Sequence, residues 1–304
     1  MDAVRKIRKV LKSKPTLEGA GVHLKRVFGY QHVPQFDPFL LLDDFHSNNP
    51  DDYMRGFPWH PHRGIETITY ILHGEVEHGD SLGNKGVIKS GNVQWMTAGS
   101  GIIHQEMPKG QADGALWGFQ LWANLPASHK MMAPRYRDVQ HQQIPEIRLD
   151  NGVTVRIICG EINDIKGPVQ DIVIDPEHLD VTVPPGTSFA HRVGKAYTVF
   201  AYVIEGKGYF EPERDPYGYE VEGRNYFDFK RECLIEPENL VAFEDGDEVL
   251  ISAEDEGLRF LLISGKPIRE PVAWYGPIVM NTQEELRIAF DEYERGTFLK
   301  HNQG

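Results

Sequence analysis

The sequence predicts an all-β fold of two tandem barrels followed by one short helix. Strand-like segments recur about every eight to twelve residues and are separated by Gly, Asn and Asp turns, which is typical of β-sandwiches and barrels. The pattern appears twice, because glycines 186, 206 and 246 fall at turns much as glycines 74 and 91 do in the first half. The chain has 304 residues, a length that suits two domains.

The elements follow the chain in order. Residues 4–11 are interpreted as a basic lead-in, and the first strands are expected at residues 22–30 and 36–45. The polar residues from 126 to 145 lack a clear period, so we expect domains at 1–135 and 146–304 that are joined by 136–145. The charged, tyrosine-rich residues 212–237 indicate a surface loop or hairpin. The last segment carries Leu286, Ala289, Phe290 and Tyr293 at helical spacing behind a cap-like Thr282, which predicts a helix over 282–295.

Composition excludes several classes of protein. The formal net charge of −13 disfavours binding to nucleic acid or to an anionic membrane, because both need a basic surface. Cys159 and Cys233 cannot build a disulfide framework, which indicates a reducing compartment. The chain has no secretory signal pattern and no apolar run near the roughly eighteen residues of a membrane helix. We therefore expect a cytoplasmic protein, or a nuclear one if the source is eukaryotic.

Two short motifs indicate a metal site. His60-Pro61-His62 and His104-Gln105-Glu106 each hold ligand-type side chains two residues apart, and such pairs share one face of a strand. Imidazole suits iron, copper, nickel and zinc, and a carboxylate favours harder ions such as iron or manganese. Four protein ligands on a six-coordinate ion would leave two positions open, which is a catalytic arrangement.

The carboxylate ligand has two candidates. Glu66 has the same strand parity as His60 and His62, so it is also expected to point inward, although it lies about 13 Å beyond His62 along an ideal strand. A bulge at Gly64 would shorten that distance. Glu106 is closer to its partner His104, and spacing favours it only weakly.

Several longer segments resemble a known family. The spacing of His60, His62, Glu66 and His104 resembles the two signature motifs of the cupin superfamily. More closely, the chain resembles the pirins, a two-cupin family, from about residue 22 to residue 290. The segments that carry the resemblance are FDPFLLLDDF, GFPWHPHRGIETITYILHGEVEH, GNVQWMTAGSGIIHQEMP, GFQLW and REPVAWYGPIVMNTQEE.

The resemblance implies two tandem cupin barrels of the jelly-roll (double-stranded β-helix) type. It further implies an iron site, Fe²⁺ or Fe³⁺, in the N-terminal barrel, held by residues that match His60, His62, His104 and Glu106. Manganese, nickel, cobalt, copper and zinc remain alternatives, and Glu66 would then lie beside the ligands. The second half has no HxH motif around His191 and no His or HxE in the strand after Gly246, so we expect no metal there.

In function, the chain resembles quercetin 2,3-dioxygenases, which implies a flavonol-like substrate and dioxygen. Glu106, or else Glu66, would act as the base, and the pocket would be lined by Trp59, Phe119, Gln120 and Trp122, whose alternative role is in the barrel core. Eukaryotic pirins are described as redox-sensitive transcription coregulators, so the alternative is a regulatory module that binds a protein partner. A third reading is a structural protein with an adventitious metal. We expect a monomer that contacts neither nucleic acid nor membrane.

Overall fold

The computed structural model describes residues 3–223 and 231–301, and within them the fold is β throughout except for one α-helix. The all-β prediction is therefore confirmed. The chain forms two compact units. We call residues 15–141 with 268–304 the first unit, and residues 1–14 with 142–267 the second unit.

The strands in chain order are β1 (Ile7–Lys12), β2 (Lys14–Glu18), β3 (Val22–Phe28), β4 (Phe39–Ser47), β5 (Phe57–His62), β6 (Ile65–His73), β7 (Glu75–Asp80), β8 (Lys85–Lys89), β9 (Val93–Thr97), β10 (Ile102–Pro108), β11 (Leu116–Asn124), β12 (Arg135–Val139), β13 (Glu146–Arg148), β14 (Thr154–Cys159), β15 (Glu161–Ile162), β16 (Ile165–Lys166), β17 (Glu177–Val183), β18 (Ser188–Arg192), β19 (Thr198–Tyr209), β20 (Glu220–Glu222), β21 (Asn239–Phe243), β22 (Glu248–Gly265), β23 (Ala273–Tyr275) and β24 (Ile278–Met280). The helix α1 spans Gln283–Glu294, and short 3-10 turns lie at Tyr30–His32, Pro50–Asp52 and His141–Gln143.

The first unit contains two sheets whose inner faces oppose each other. The larger sheet has the strand order β12-β9-β6-β11-β4-β3-β2, and the smaller one has the order β5-β10-β7-β8. Glu106 on β10 of the smaller sheet accepts hydrogen bonds from Thr69 on β6 and Gln120 on β11 of the larger sheet. These contacts identify the faces that enclose the interior of the first unit.

The second unit is built around one long strand. β22 pairs with β18 through its first residues, Glu248–Ser252, and with β17 through its last, Leu258–Ser264. The sheet thereby continues in the order β13-β14-β17-β22-β19-β21-β1-β20 and encloses an apolar core that includes Val155, Leu179 and Phe260. This interior is apolar, whereas the interior of the first unit combines apolar clusters with buried polar side chains such as His104 and Glu106.

The two ends of the chain lie in units other than those that the sequence predicted. Residues 4–11, interpreted as a lead-in, hold most of β1, which pairs antiparallel with β21 of the second unit and buries Ile7 and Val10 in its core. Residues 268–304 belong to the first unit, where Ile278 and Leu286 are buried in one cluster. Terminal segments of this kind carry apolar stripes that fit either core, so pattern alone does not assign them.

Three local predictions can be compared with the structure. The helix is confirmed at Gln283–Glu294, and Thr282 forms a capping box with Glu285. The expected connection 136–145 is partly a strand, because β12 pairs with β9 over residues 135–139. The expected excursion 212–237 contains β20, which pairs with β1, and its residues 224–230 lie outside the described residues.

In the part of the chain that the structure describes, no helix combines the length and the apolar character required to cross a membrane.

A buried lysine joins three segments of the first unit. Lys130 is 2% exposed, and its Nζ donates to Gly64 O at 2.9 Å, Asn124 Oδ1 at 2.7 Å and Val279 O at 3.0 Å. The three acceptors match the three donors of an ammonium group. Lys130 thereby holds β24 and the end of β11 against the turn that follows β5.

The substitution Lys130→Met should destabilise the protein by about 3 kcal/mol or more, because it removes the donor of three buried hydrogen bonds and leaves their acceptors unpaired. Lys85→Met, at an exposed position of β8, is the matched control and should change the free energy of unfolding by less than about 0.5 kcal/mol. Urea unfolding followed by circular dichroism measures both. Equal effects of the two substitutions would show that the Lys130 contacts add no stability.

Candidate metal centre

Three histidines converge on neighbouring strands of the smaller sheet. β5 and β10 are antiparallel, and His60 and His104 are direct partners in their register, while His62 lies two residues further along β5. The Nε2 atom of His60 is 3.0 Å from Nε2 of His62 and 3.0 Å from Nε2 of His104. Ligand-type atoms of the three residues all lie within 4.8 Å of one another.

The far side of two of these rings is fixed by backbone carbonyls. His60 Nδ1 lies 2.8 Å from Pro58 O, and His62 Nδ1 lies 3.0 Å from Pro277 O. A carbonyl oxygen only accepts hydrogen bonds, so each Nδ1 carries the proton and each Nε2 presents a lone pair. Histidines that bind metals are commonly oriented by such a partner on the other ring nitrogen.

Burial and charge favour neutral rings at His62 and His104. Burial lowers the pKa of both His62 and His104 well below the usual value, and the neighbouring histidines lower each further. A cation placed between the Nε2 atoms of His60 and His62 would meet a lone pair from each ring, and their separation of 3.0 Å allows this.

The spacing also fits the coordination geometry of a transition metal. With metal–nitrogen bonds of about 2.1 Å, ligands at right angles lie about 3.0 Å apart, whereas tetrahedral ligands lie about 3.4 Å apart. The observed Nε2 separations of 3.0 Å match adjacent positions of an octahedron. The donor set and its spacing therefore fit a divalent transition metal.

Glu106 lies on the same strand as His104 and has its own partners. It is two residues from His104 on the same face of β10, and it is buried. Thr69 Oγ1 donates to its Oε1 at 3.0 Å, and Gln120 Nε2 donates to its Oε2 at 2.9 Å. Each carboxylate oxygen retains acceptor capacity beyond these bonds, so Glu106 can serve as a ligand or as a base.

Glu66 does not point inward with the histidines, which corrects that expectation. It accepts a hydrogen bond from Thr97 Oγ1 at 2.5 Å. It also lies three residues from Thr69, which contacts Glu106, so the two side chains lie on opposite faces of β6. Burial raises the pKa of Glu66. The parity argument failed because β5 ends at His62, and the chain turns at Gly64 with a φ of 78° before β6 begins in the other sheet.

A cavity of about 770 Å³ opens beside His60 and His62, within the size range of small-molecule pockets. Aromatic and apolar side chains form most of its wall, together with one charged group of three residues. The lining residues are Glu18, Gly19, Arg26, Tyr30, Leu41, Asp43, Phe57, Pro58, His60, His62, Gln120, Trp122, Trp274, Tyr275, Gly276 and Pro277.

Two of the four expected pocket residues line this cavity. Gln120 and Trp122 do, and the Trp122 ring lies 5.1 Å from the His62 ring, edge to face. Phe119 is 1% exposed and adjacent to Gln120 on β11, so it faces the other side of the sheet. Trp59 is 51% exposed and is not part of the lining. Both of these expectations are corrected by strand alternation.

The C-terminal segment contributes residues that the sequence patterns do not identify. Trp274, Tyr275 and Pro277 line the cavity, and Pro277 also orients His62. The signal was present in the segment REPVAWYGPIVMNTQEE, which resembles the family but was assigned to the second half of the chain. Arg26 and Asp43 were also missed, since both lie in strand patterns that indicate structure and not a site.

Comparison with known proteins agrees with this architecture. Residues 21–123 match the pirin family and residues 178–299 match the pirin C-terminal cupin domain. A pirin-like protein of Caulobacter vibrioides is 42% identical over 97% of this chain and 99% of its own. A Pseudomonas aeruginosa protein whose name assigns it provisionally to the quercetin 2,3-dioxygenases is 41% identical over 97% of this chain and 99% of its own.

A solved structure extends the similarity to three dimensions. The crystal structure of quercetin 2,3-dioxygenase from Acinetobacter baumannii has a TM-score of 0.83 and 32% sequence identity, covering 97% of this chain and 99% of that one. With both cupin domains matched and relatives of this identity over nearly the whole length, the chain belongs to the pirin family.

Proposed function

We propose that this pirin is a metal-dependent dioxygenase that opens the ring of a flavonol-like substrate. The observation that carries the proposal is the convergence of three imidazole Nε2 atoms on neighbouring strands, with His60 and His62 in the wall of an aromatic cavity. His60, His62 and His104 would hold the metal, with Glu106 as the fourth ligand. Iron is the proposed ion, and the donor set also suits other divalent transition metals.

When bound, the ion would supply Lewis acidity toward the substrate oxygens and, for iron, the electron exchange that dioxygen chemistry needs. The protein's own groups would orient the substrate and move its proton. The adjacent hydroxyl and carbonyl of a flavonol would face the histidines, and the flat ring system would lie along Trp122 and Trp274.

Glu106 is the proposed base for the substrate hydroxyl. Thr69 and Gln120 hold its carboxylate in place, so a proton taken by Glu106 arrives at an already oriented acceptor. The Oε1 atom of Gln120 accepts from Trp122 Nε1 at 3.1 Å. One amide therefore orients both the base and the aromatic wall against which the substrate would lie.

The apolar part of the wall would keep water from the reacting atoms. Leu41, Trp122 and Trp274 contribute carbon surface beside the histidines, and a water-poor site strengthens electrostatic contacts with the substrate. The names of the Acinetobacter and Pseudomonas relatives support a flavonol substrate for those proteins. The substrate of this chain is proposed by the likeness of the site.

Metal content tests the ligand assignment. Protein purified without added metal and assayed by element-resolved analysis should contain about one metal ion per chain, and His62→Ala or His104→Ala should lose most of it. His23→Ala, at an exposed position on β3, is the control and should retain the metal. Glu106→Gln should lower the metal affinity, whereas Glu66→Gln, on the other face of β6, should not. Equal loss in the two Glu variants would contradict the proposed ligand set.

Turnover tests the activity. Iron-loaded protein should consume a flavonol and dioxygen and release carbon monoxide. The reaction is measured by the loss of flavonol absorbance. Glu106→Gln, compared at equal metal occupancy, should lower kcat by about 10²- to 10⁴-fold, the usual contribution of a general base. Wild-type protein with full metal occupancy and no turnover with any loaded metal would overturn the dioxygenase proposal and favour a regulatory role.

A further inference from the structure

We propose that Asp43, paired with Arg26, selects the substrate: it accepts a hydrogen bond from a hydroxyl group on a flat aromatic ligand and disfavours ligands that carry an anionic group there. The inference rests on the proposed function and deepens it, because it concerns the part of the substrate that does not meet the metal. It assigns a specificity role to residues outside the histidine cluster.

The strand register locates both residues on the inner face of the larger sheet. Arg26 on β3 pairs with Asp43 on β4, and Asp43 pairs with Gln120 on β11. Partners in register share a face, and Gln120 contacts Glu106 across the interior. Asp43 therefore lies on the wall opposite β5, which carries His60 and His62.

Arg26 holds the carboxylate of Asp43 in a fixed orientation. Its Nε donates to Oδ1 at 2.9 Å and its Nη2 donates to Oδ2 at 2.8 Å, so the pair is bidentate. Its Nη1 donates to Glu18 Oε1 at 2.7 Å. With the guanidinium engaged by two carboxylates, its charge is already compensated before a ligand arrives.

The group of three charged residues in the cavity wall carries an excess of negative charge. Glu18 and Asp43 are acidic and Arg26 is basic. The three side chains together have a net charge of −1 when both acids are ionised. Burial raises the pKa of Asp43 to about 6, against the opposing effect of Arg26, so the carboxylate is mostly ionised at pH 7 and above. A ligand carboxylate or sulfate at this wall would be repelled by the like charge of Asp43, and the low polarity of the site would strengthen that repulsion.

Asp43 retains the capacity to accept. Each carboxylate oxygen has about two lone-pair directions, and Arg26 uses one on each oxygen. Asp43 is 5% exposed, so a hydrogen-bond donor that enters the cavity finds an acceptor with little competing water. A neutral phenolic hydroxyl meets this requirement, because it donates without bringing a negative charge.

The neighbouring aromatic rings define the remainder of the ligand. Trp274 lies 5.8 Å from Trp122 and 5.6 Å from Tyr30 between ring centroids, and all three line the same cavity as Asp43. Flat faces of this size bind planar ring systems. The chemical class that fits both features is a neutral, planar aromatic compound with a hydroxyl on the ring that lies near Asp43.

Binding without turnover provides the test. Metal-loaded protein kept free of dioxygen is titrated with three flavonols, and binding is measured by the quenching of tryptophan fluorescence. The first flavonol has hydroxyls on the pendant ring, the second lacks them, and the third has a carboxylate in their place. Wild-type protein should bind the hydroxylated compound about 10- to 100-fold more tightly than the unsubstituted one, and the carboxylated compound most weakly.

Two variants separate the hydrogen bond from the charge. Asp43→Asn should reduce the preference for the hydroxylated compound to less than about threefold and should improve binding of the carboxylated one. Glu18→Gln also removes one negative charge, from the more exposed of the two acidic partners of Arg26. This variant should keep the preference for the hydroxylated compound. The double variant Arg26→Met/Asp43→Leu leaves no buried unpaired charge, so it gives the same test if Asp43→Asn fails to fold.

The outcomes distinguish this inference from the proposed function. Equal affinities of wild-type protein for all three compounds, or an unchanged preference in Asp43→Asn, would overturn the role of Asp43 even if the flavonol is turned over. A hydroxyl preference that depends on Asp43, in a protein that turns over no flavonol, would support the selective site and overturn the dioxygenase. Failure to bind any of the three compounds would overturn both.

Discussion

The hydrogen bonds from the Nδ1 atoms of His60 and His62 to backbone carbonyls are the constraint on which the site depends. Pro58 O and Pro277 O can only accept, so they assign the tautomer of both rings and direct both Nε2 lone pairs to the same region. Without this constraint, a neutral imidazole could rotate and present a donor in place of an acceptor. The site is therefore preorganised by main-chain atoms from two distant parts of the sequence.

One of those parts is the C-terminal segment, and further contacts hold it in place. Arg63, which follows His62, donates to Ser100 O at 2.7 Å and Phe298 O at 2.8 Å, and its guanidinium lies 4.2 Å from the centre of the Phe298 ring. Arg63 also forms an ion pair with Glu292 at 2.8 Å. The cost of burying this charge is offset by these partners, and the position of the segment that carries Pro277 follows from them.

The interior of the first unit contains an apolar cluster and a hydrogen-bonded polar group. At one end Ile65, Met96, Ile102 and Val279 form an apolar cluster, which packs the sheets together. Beside it, Thr69, Gln120 and Glu106 form a hydrogen-bonded group between the sheets. Because the polar groups have partners, they can be buried without a large penalty, and Gln120 also lines the cavity.

The sequence by itself determined the class of fold, the position of the C-terminal helix and the three histidines that form the candidate metal centre. These follow from short-range patterns, since turn residues, strand alternation and the i, i+2 spacing of HxH are readable within a few residues. It left the carboxylate open, because strand parity cannot be carried through the turn at Gly64, where the chain passes from one sheet to the other.

Only the tertiary structure decided that Glu66 points away from the interior, which unit receives each chain terminus, and what forms the far wall of the cavity. Glu106 faces the interior, where Thr69 donates to it, and Glu66 lies on the other face of β6, because β5 and β6 belong to different sheets and strand parity does not carry from one to the other. Pro277 and the pair formed by Arg26 and Asp43 reach the site through pairings between residues distant in sequence. Such long-range contacts depend on how complete cores pack, and no local pattern encodes them.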